Sequence, residues 1–401
     1  MKKLVVVSEY LTNFNGHYYE YIKSVKETFE PRGIPTKIYS KRKIDPNIQQ
    51  ELDTVPFFDD APPASRFSKI PLIGKVYQRL KFRMHHTRQI AEIFEREKEA
   101  GTYFFFEFVV WSNLLPILFS LRKHKVRAIL IFRFAFGEQV EAPPRLKKIA
   151  RGIYDYALKF LLRHHHILTT DSEVIAQEFA AKYQATMTVL PIPHLNDQVM
   201  AVPAKAMQPG AKFTCYVPGI FAKHKGVQFL LDSFEALSAT DDELNDRIIF
   251  VTQYNDQLYD KKNNEMIRAR LDKMKIETVF LSSLTTEAYN EQFRNSDIIL
   301  VMYSLDSGFG HRTSGVMSDA IAFEKPFITS KDTWMELQAA TYHTGLAVPY
   351  GDTAAFLEAL RGMMADYDKY RQAAAAAKPQ WMAYHSKEHY FNIITGLTKD
   401  K

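Results

Sequence analysis

Apolar residues along this chain fall into two rhythms that alternate from one end to the other. Short uninterrupted runs, such as LVVV near the start, read as buried β-strands. Longer stretches with apolar positions every three to four residues read as amphipathic helices. In the first half this pattern predicts strands at 3–8, 36–40, 103–108, 127–133, 167–170 and 188–190. Helices are predicted between them at 18–29, 78–100, 114–123, 146–163 and 172–183. Such alternation makes a parallel sheet, because every parallel pair needs a crossover and the crossover helices cover both faces. A polar, proline-containing stretch at 195–211 breaks the cycle. It restarts with strands at 213–217, 247–252, 279–281, 298–302, 326–328 and 346–348, and helices including 227–237, 265–274 and 353–366. The expected fold class is therefore α/β, with two doubly wound Rossmann-like domains at 1–205 and 206–380. After an alanine run at 373–377, helical periodicity at 381–397 predicts a terminal helix within 381–401.

Length agrees with this division: 401 residues suit two cores of about 200 residues each rather than one. Apolar content of 46% with 24% charged residues places the chain among globular proteins, not disordered ones. The single cysteine, Cys215, excludes an internal disulfide and a cysteine-based metal site and suits a reducing compartment. No apolar stretch reaches the roughly 18 residues of a membrane span, and the apolar run at the N-terminus ends at Glu9, too short for a signal peptide. The expected location is the cytoplasm, with or without peripheral contact at the inner face of a membrane.

Charge is uneven. Residues 1–200 carry 30 Lys and Arg against 21 Asp and Glu, whereas the remainder carries 22 against 25. The excess concentrates in 61–90, where Arg66, Lys69, Lys75, Arg79, Lys81, Arg83 and Arg88 meet no acid and interleave with apolar residues. Such a segment lies on an anionic membrane, receives an anionic ligand, or forms a solvated helix over the first sheet. Nucleic acid is not an expected partner, since no nucleic-acid motif accompanies the charge.

Candidate chemistry concentrates in the second half. At 278–329 a strand, a polar helix and a second strand lead to a loop rich in Gly, Ser and charge, which opens an apolar-striped helix. In open α/β sheets, ligands sit where such loops feed helix N-termini. Ser314 is a natural N-cap there, and the Gly315 amide can approach an anion closely. Val316, Met317, Ala320 and Ile321 form the expected buried stripe, leaving Ser318 and Asp319 to face elsewhere. Asp319 is either a carboxylate able to accept from both hydroxyls of a ribose or an ordinary surface acid. Arg312 offers a planar fork to phosphate, or pairs with a loop acid such as Asp306.

The stretch CYVPGIFAKHKGVQFLLDSFEAL places Lys223 and Lys225 between a strand ending at Gly219 and a helix starting at Gly226. Cations beside a helix start suit a diphosphate; the alternative is two exposed lysines. In the first half, Asn15-Gly16-His17 follows the first strand, so His17 is a base, a hydrogen-bond donor or an exposed helix-start residue. Glu107 and Arg133 lie near two further strand ends, where they orient a bound molecule or pair with one another. His164-His165-His166 spans a helix-to-strand junction, which spreads its side chains. Asp366-Tyr367-Asp368 falls in a C-terminal helix rather than at a strand end. Neither is read as a metal site, and no nucleophile elbow, Walker loop or zinc-protease helix is present.

These motifs resemble those of GT-B glycosyltransferases of family 4, the group 1 glycosyltransferases. Gly219, Lys225 and Gly226 match the family's G-x-x-x-x-x-K-G opening, with Ile220 where an arginine is usual. Aligned on Asp319-Ala320, the family's two glutamates eight positions apart correspond to His311 and Asp319. The run from His311 to Gly315 resembles the R-x-S-G variant of some relatives. The resemblance implies two domains facing a cleft, with the last helix crossing back to the first domain. It implies a nucleotide-diphosphate sugar as donor substrate, bound by Gly219, Lys223, Lys225, Gly226, His311, Arg312, Ser314, Gly315 and Asp319. The base would stack around Gln253 and 282–284, with Ser283 a further donor-binding residue. A glycan or lipid-linked acceptor would lie on Gly16, His17, Glu107 and Arg133. His17, Arg312 and Lys225 are the implied catalytic residues, lysine and helix charge replace a divalent metal, no cofactor is needed, and configuration is retained. The alternatives are a non-catalytic nucleotide-sugar-binding or assembly subunit, and a GT-B epimerase.

Overall fold

The computed structural model describes residues 1–14, 17–59, 73–134, 144–193, 210–220, 225–240, 242–253, 261–281, 284–305 and 310–399. The chain divides into two compact units, Met1–His194 with His385–Lys401, and Leu195–Tyr384.

The first unit is built on a seven-stranded sheet. Its strands are β1 (Lys3–Val7), β2 (Thr36–Lys41), β3 (Thr54–Phe58), β4 (Thr102–Val109), β5 (Arg127–Phe132), β6 (Ile167–Thr170) and β7 (Thr188–Val189). They run parallel in the order β3-β2-β1-β4-β5-β6-β7. Side chains alternate across a strand, and here both faces are covered, so the central strands β1, β4 and β5 are mostly apolar on both sides. Val5, Val7, Phe104, Phe106, Leu130 and Phe132 pack under the helices Ile73–Glu97, Trp111–Lys123 and Pro144–Arg163. Leu4, Val6, Tyr103, Phe105, Ile129 and Ile131 pack on the other face, under His17–Phe29 and Lys387–Lys399.

The helix Pro46–Leu52 and strand β3 do not stand out in the hydrophobic pattern. Strand β3 contains Pro56, which argues against a strand. It is tolerated because β3 is the sheet edge and pairs with β2 alone. The periodicity at 381–397 also resolves differently, into the helices Tyr367–Tyr384 and Lys387–Lys399. Ser386 makes the break, its hydroxyl accepting from the His389 amide at 3.1 Å as an N-cap does. The last helix joins the first unit through the Tyr390–Tyr21 hydroxyl pair (2.7 Å) and the ion pairs Arg32–Glu388 and Lys387–Glu27.

The second unit carries β8 (Phe213–Ile220), β9 (Ile248–Gln253), β10 (Glu277–Leu281), β11 (Ile298–Val301), β12 (Phe327–Ser330) and β13 (Gly345–Val348). These are parallel in the order β10-β9-β8-β11-β12-β13. Cys215, Val217, Phe250, Leu300 and Ile328 from the sheet meet Leu230, Phe234, Phe356 and Leu360 from helices in one core. Both sheets reverse their winding beside the first strand, between β1 and β4 and between β8 and β11. Open α/β sheets bind ligands at such reversals, beyond the carboxyl ends of the strands.

Candidate functional site

Glycine shapes the carboxyl end of β8. Gly219 has φ +75° and Gly226 φ +74°, left-handed conformations that other residues adopt at a cost. A β-carbon on Gly226, the N-cap of the helix Val227–Ser238, would fall 1.9 Å from the Met302 carbonyl oxygen. Only glycine lets this helix start press against the backbone leaving β11. A β-carbon on Gly219 would lie 2.6 Å from the Lys225 ammonium, which sits 3.5 Å from the Pro218 carbonyl oxygen. Gln253, at the end of β9, holds the same turn: its side-chain oxygen accepts from the Gly219 amide and the Tyr216 hydroxyl, both at 3.1 Å.

A second helix starts beyond β11. Ser314 caps the helix Gly315–Ala322, accepting from the Met317 amide at 3.3 Å, and its hydroxyl donates to that of Tyr303 at 3.2 Å. The two helix N-termini therefore touch the adjacent residues Met302 and Tyr303 immediately after β11. Helix N-termini at the strand ends and an ammonium beside one of them suit phosphate-like charge.

Asp319 follows one turn along the second helix. It is partly buried and accepts from the Tyr289 hydroxyl at 3.0 Å. Burial raises its carboxyl to about 7, against the opposing effect of that hydrogen bond. Ser318, expected beside Asp319 outside the buried stripe, is in fact buried. The helix Tyr367–Tyr384 covers the Gly315–Ala322 helix on a second side. His311 and Arg312 are half-buried just ahead of this helix. Gly310 anchors their turn by accepting from the Trp334 amide at 2.7 Å. Lys223, Ser283 and Asp306 lie outside the described residues.

At the reversal of the first sheet, Ser8 donates to buried Glu107 at 2.6 Å, and burial raises the Glu107 carboxyl to about 7. Arg133 does not form its ion pair with Glu107. It pairs with Asp171 at 3.7 Å and stacks over the Tyr21 ring at 4.5 Å. Burial opposes its charge, but Asp171 and its neighbours keep the guanidinium above its ordinary range. His17 begins its helix, the described backbone saying nothing of its side chain, and Gly16 lies outside the described residues.

A neighbouring cluster escaped the sequence reading. Glu9 accepts from Asn113 at 2.5 Å and pairs with the buried His86 ring at 2.8 Å. Although burial works against ionisation, His86 and Asn113 draw the Glu9 carboxyl below its usual range. Nothing local links residues 9, 86 and 113; the sheet topology alone brings them together. Glu9, Glu107, Tyr10, His86 and Asn113 line one small cavity. Among the described residues no group of three His, Cys, Asp or Glu side chains is placed to hold a metal ion.

The two doubly wound parallel sheets, each reversing beside its first strand, define an α/β protein of the GT-B fold class. Residues 203–380, most of the second unit, match the family described as glycosyl transferases group 1. No curated protein matches the sequence. Among solved structures, a glycosyltransferase from Rickettsia africae ESF-5 is similar at 13% identity and a TM-score of 0.70, covering 100% of this chain and 99% of that one. Anabaena HepE in complex with UDP is similar at 10% identity and TM-score 0.68, over 100% of both chains. An E. coli structure titled trehalose-6-phosphate, bound with UDP-2-fluoro glucose, is similar at 14% identity and TM-score 0.68, over 99% of both chains.

Proposed function

We propose that the protein is a metal-independent, retaining glycosyltransferase that moves a sugar from a nucleotide-diphosphate donor to a glycan or lipid-linked acceptor. The observation that carries this reading is that two helix starts contact the residues just after β11, Gly226 against the Met302 carbonyl oxygen and Ser314 on the Tyr303 hydroxyl. The diphosphate of the donor would lie there. Backbone amides and Lys225, with Lys223 and Arg312, would stabilise the negative charge that grows on it as the glycosidic bond breaks and the sugar becomes oxocarbenium-like. Asp319, once ionised, would accept from the ribose hydroxyls as its carboxylate already accepts from the Tyr289 hydroxyl. The acceptor would lie on the first unit near Gly16, His17, Glu107 and Arg133, with His17 as a further catalytic candidate. The UDP and UDP-sugar held by two of the similar structures support a nucleotide donor.

Two departures favour a second reading, a non-catalytic nucleotide-sugar-binding or assembly subunit: Ile220 stands where the family's arginine is usual, and His311 where its first glutamate is expected. Calorimetry with nucleoside diphosphates, paired with a transfer assay over a panel of nucleotide sugars, both in EDTA, separates the two. A transferase binds and turns over donor, and Lys225→Ala weakens binding at least roughly tenfold by removing a charge-assisted contact. Binding without turnover supports the subunit reading, and absence of binding contradicts both.

A further inference from the structure

Three helices lie side by side over one face of the first sheet: Ile73–Glu97 packs on Trp111–Lys123, which packs on Pro144–Arg163. Each sinks a stripe into the core, through Ile90, Ile93 and Phe94, through Leu114, Ile117 and Leu118, and through Leu158 and Leu161. Each also leaves large apolar side chains exposed. These are Tyr77, Leu80 (53%) and Met84 (59%) on the first, Phe119 (53%) on the second, and Ile149 (59%), Ile153 and Tyr156 (55%) on the third. Residues 77, 80 and 84, and 149, 153 and 156, follow helical spacing and so form stripes. Single exposed apolar residues are ordinary, but stripes on neighbouring helices mark an interaction surface.

Charge identifies the partner. Arg88, Arg122, Lys123, Lys148, Arg151 and Lys159 are exposed on the same three helices. No acid occurs from 61 to 91 or in Trp111–Lys123. Asp155, the one acid of the third helix, is engaged by Lys182 and Tyr183. We infer that this three-helix face docks on an anionic lipid bilayer. Its apolar side chains enter the boundary between headgroups and acyl chains, while Lys and Arg meet lipid phosphates. Such docking needs no spanning helix, and among the described residues none is long and apolar enough to cross a membrane. The surface runs from Tyr77 on the first helix to Lys159 on the third and does not rest on the transferase reading.

The test sediments the full chain with vesicles of phosphatidylcholine, with and without phosphatidylglycerol. Co-sedimentation is expected only with phosphatidylglycerol and is expected to weaken as salt rises. Each basic charge lost should lower partitioning roughly fivefold, so Lys148→Glu with Arg151→Glu should abolish it. Ile149→Ser with Tyr156→Ser should weaken it while leaving its salt dependence. All four positions are exposed, so both variants should keep wild-type thermal unfolding and the nucleotide response of the second unit. No binding to phosphatidylglycerol vesicles, or binding unchanged in both variants, overturns the inference. So does self-association without vesicle binding that the apolar variant removes, because the face then meets a second copy of the chain.

Discussion

Glu107 shows how burial turns one residue into a pH-dependent element. Its carboxyl is raised from 4.5 to about 7, burial being the main cause and the Ser8 hydroxyl opposing it. Between those values the folded protein holds a proton that the unfolded chain releases. The residue therefore costs nothing below pH 4.5, destabilises increasingly as pH rises to about 7, and its penalty levels off above that. The full penalty is on the order of 3 kcal/mol. Glu107→Gln should raise stability by up to about 3 kcal/mol at pH 8 and leave it unchanged at pH 4, measured by urea unfolding. An equal effect at both values would contradict a buried, proton-holding carboxyl. Sequence could flag Glu107 because a charged residue interrupts a phenylalanine-rich strand. It could not pair Glu9 with His86 and Asn113, whose meeting depends on the order of strands β1 and β4.

At the scale of elements, the strand-to-helix turn at Gly226 is the most exacting part of the second unit. Two glycines separate its constraints. Gly33 has φ +76° with nothing within 4 Å of a β-carbon, whereas Gly226 has φ +74° and the Met302 carbonyl oxygen at 1.9 Å. Gly33→Ala should cost only the backbone strain, about 1–3 kcal/mol. Gly226→Ala should cost more, because the helix start must also withdraw from the strand. It should abolish nucleoside diphosphate binding as well. Unfolding midpoints and calorimetry of both variants check this, and equal costs with binding intact would refute the close-approach argument. The glycine was legible in the sequence as a helix opener; its contact with Met302, 76 residues along the chain, was not. Elements with uniform apolar runs were equally legible. Strand β3 was masked by Pro56, whose lack of an amide is harmless only at an edge. The break before the last helix hung on the cap at Ser386, which helical periodicity does not register.

For the whole molecule, the two units differ in how much their sequences reveal. The second holds its proposed donor-site residues in short segments, 219–226 and 311–319, which local motifs can single out. The first assembles Ser8, Glu9, His86, Glu107 and Asn113 from four separate segments, and its residues before 203 fall outside the family match. The central claim is that both helix starts of the second unit grip one diphosphate. Hydrogen–deuterium exchange with and without saturating nucleoside diphosphate reads this directly. Amides at 226–230 and at 315–318 should both slow on binding, in EDTA as in buffer, and Lys225→Ala should lose both effects. A ligand shown by calorimetry to bind while leaving either helix start unprotected would contradict the account.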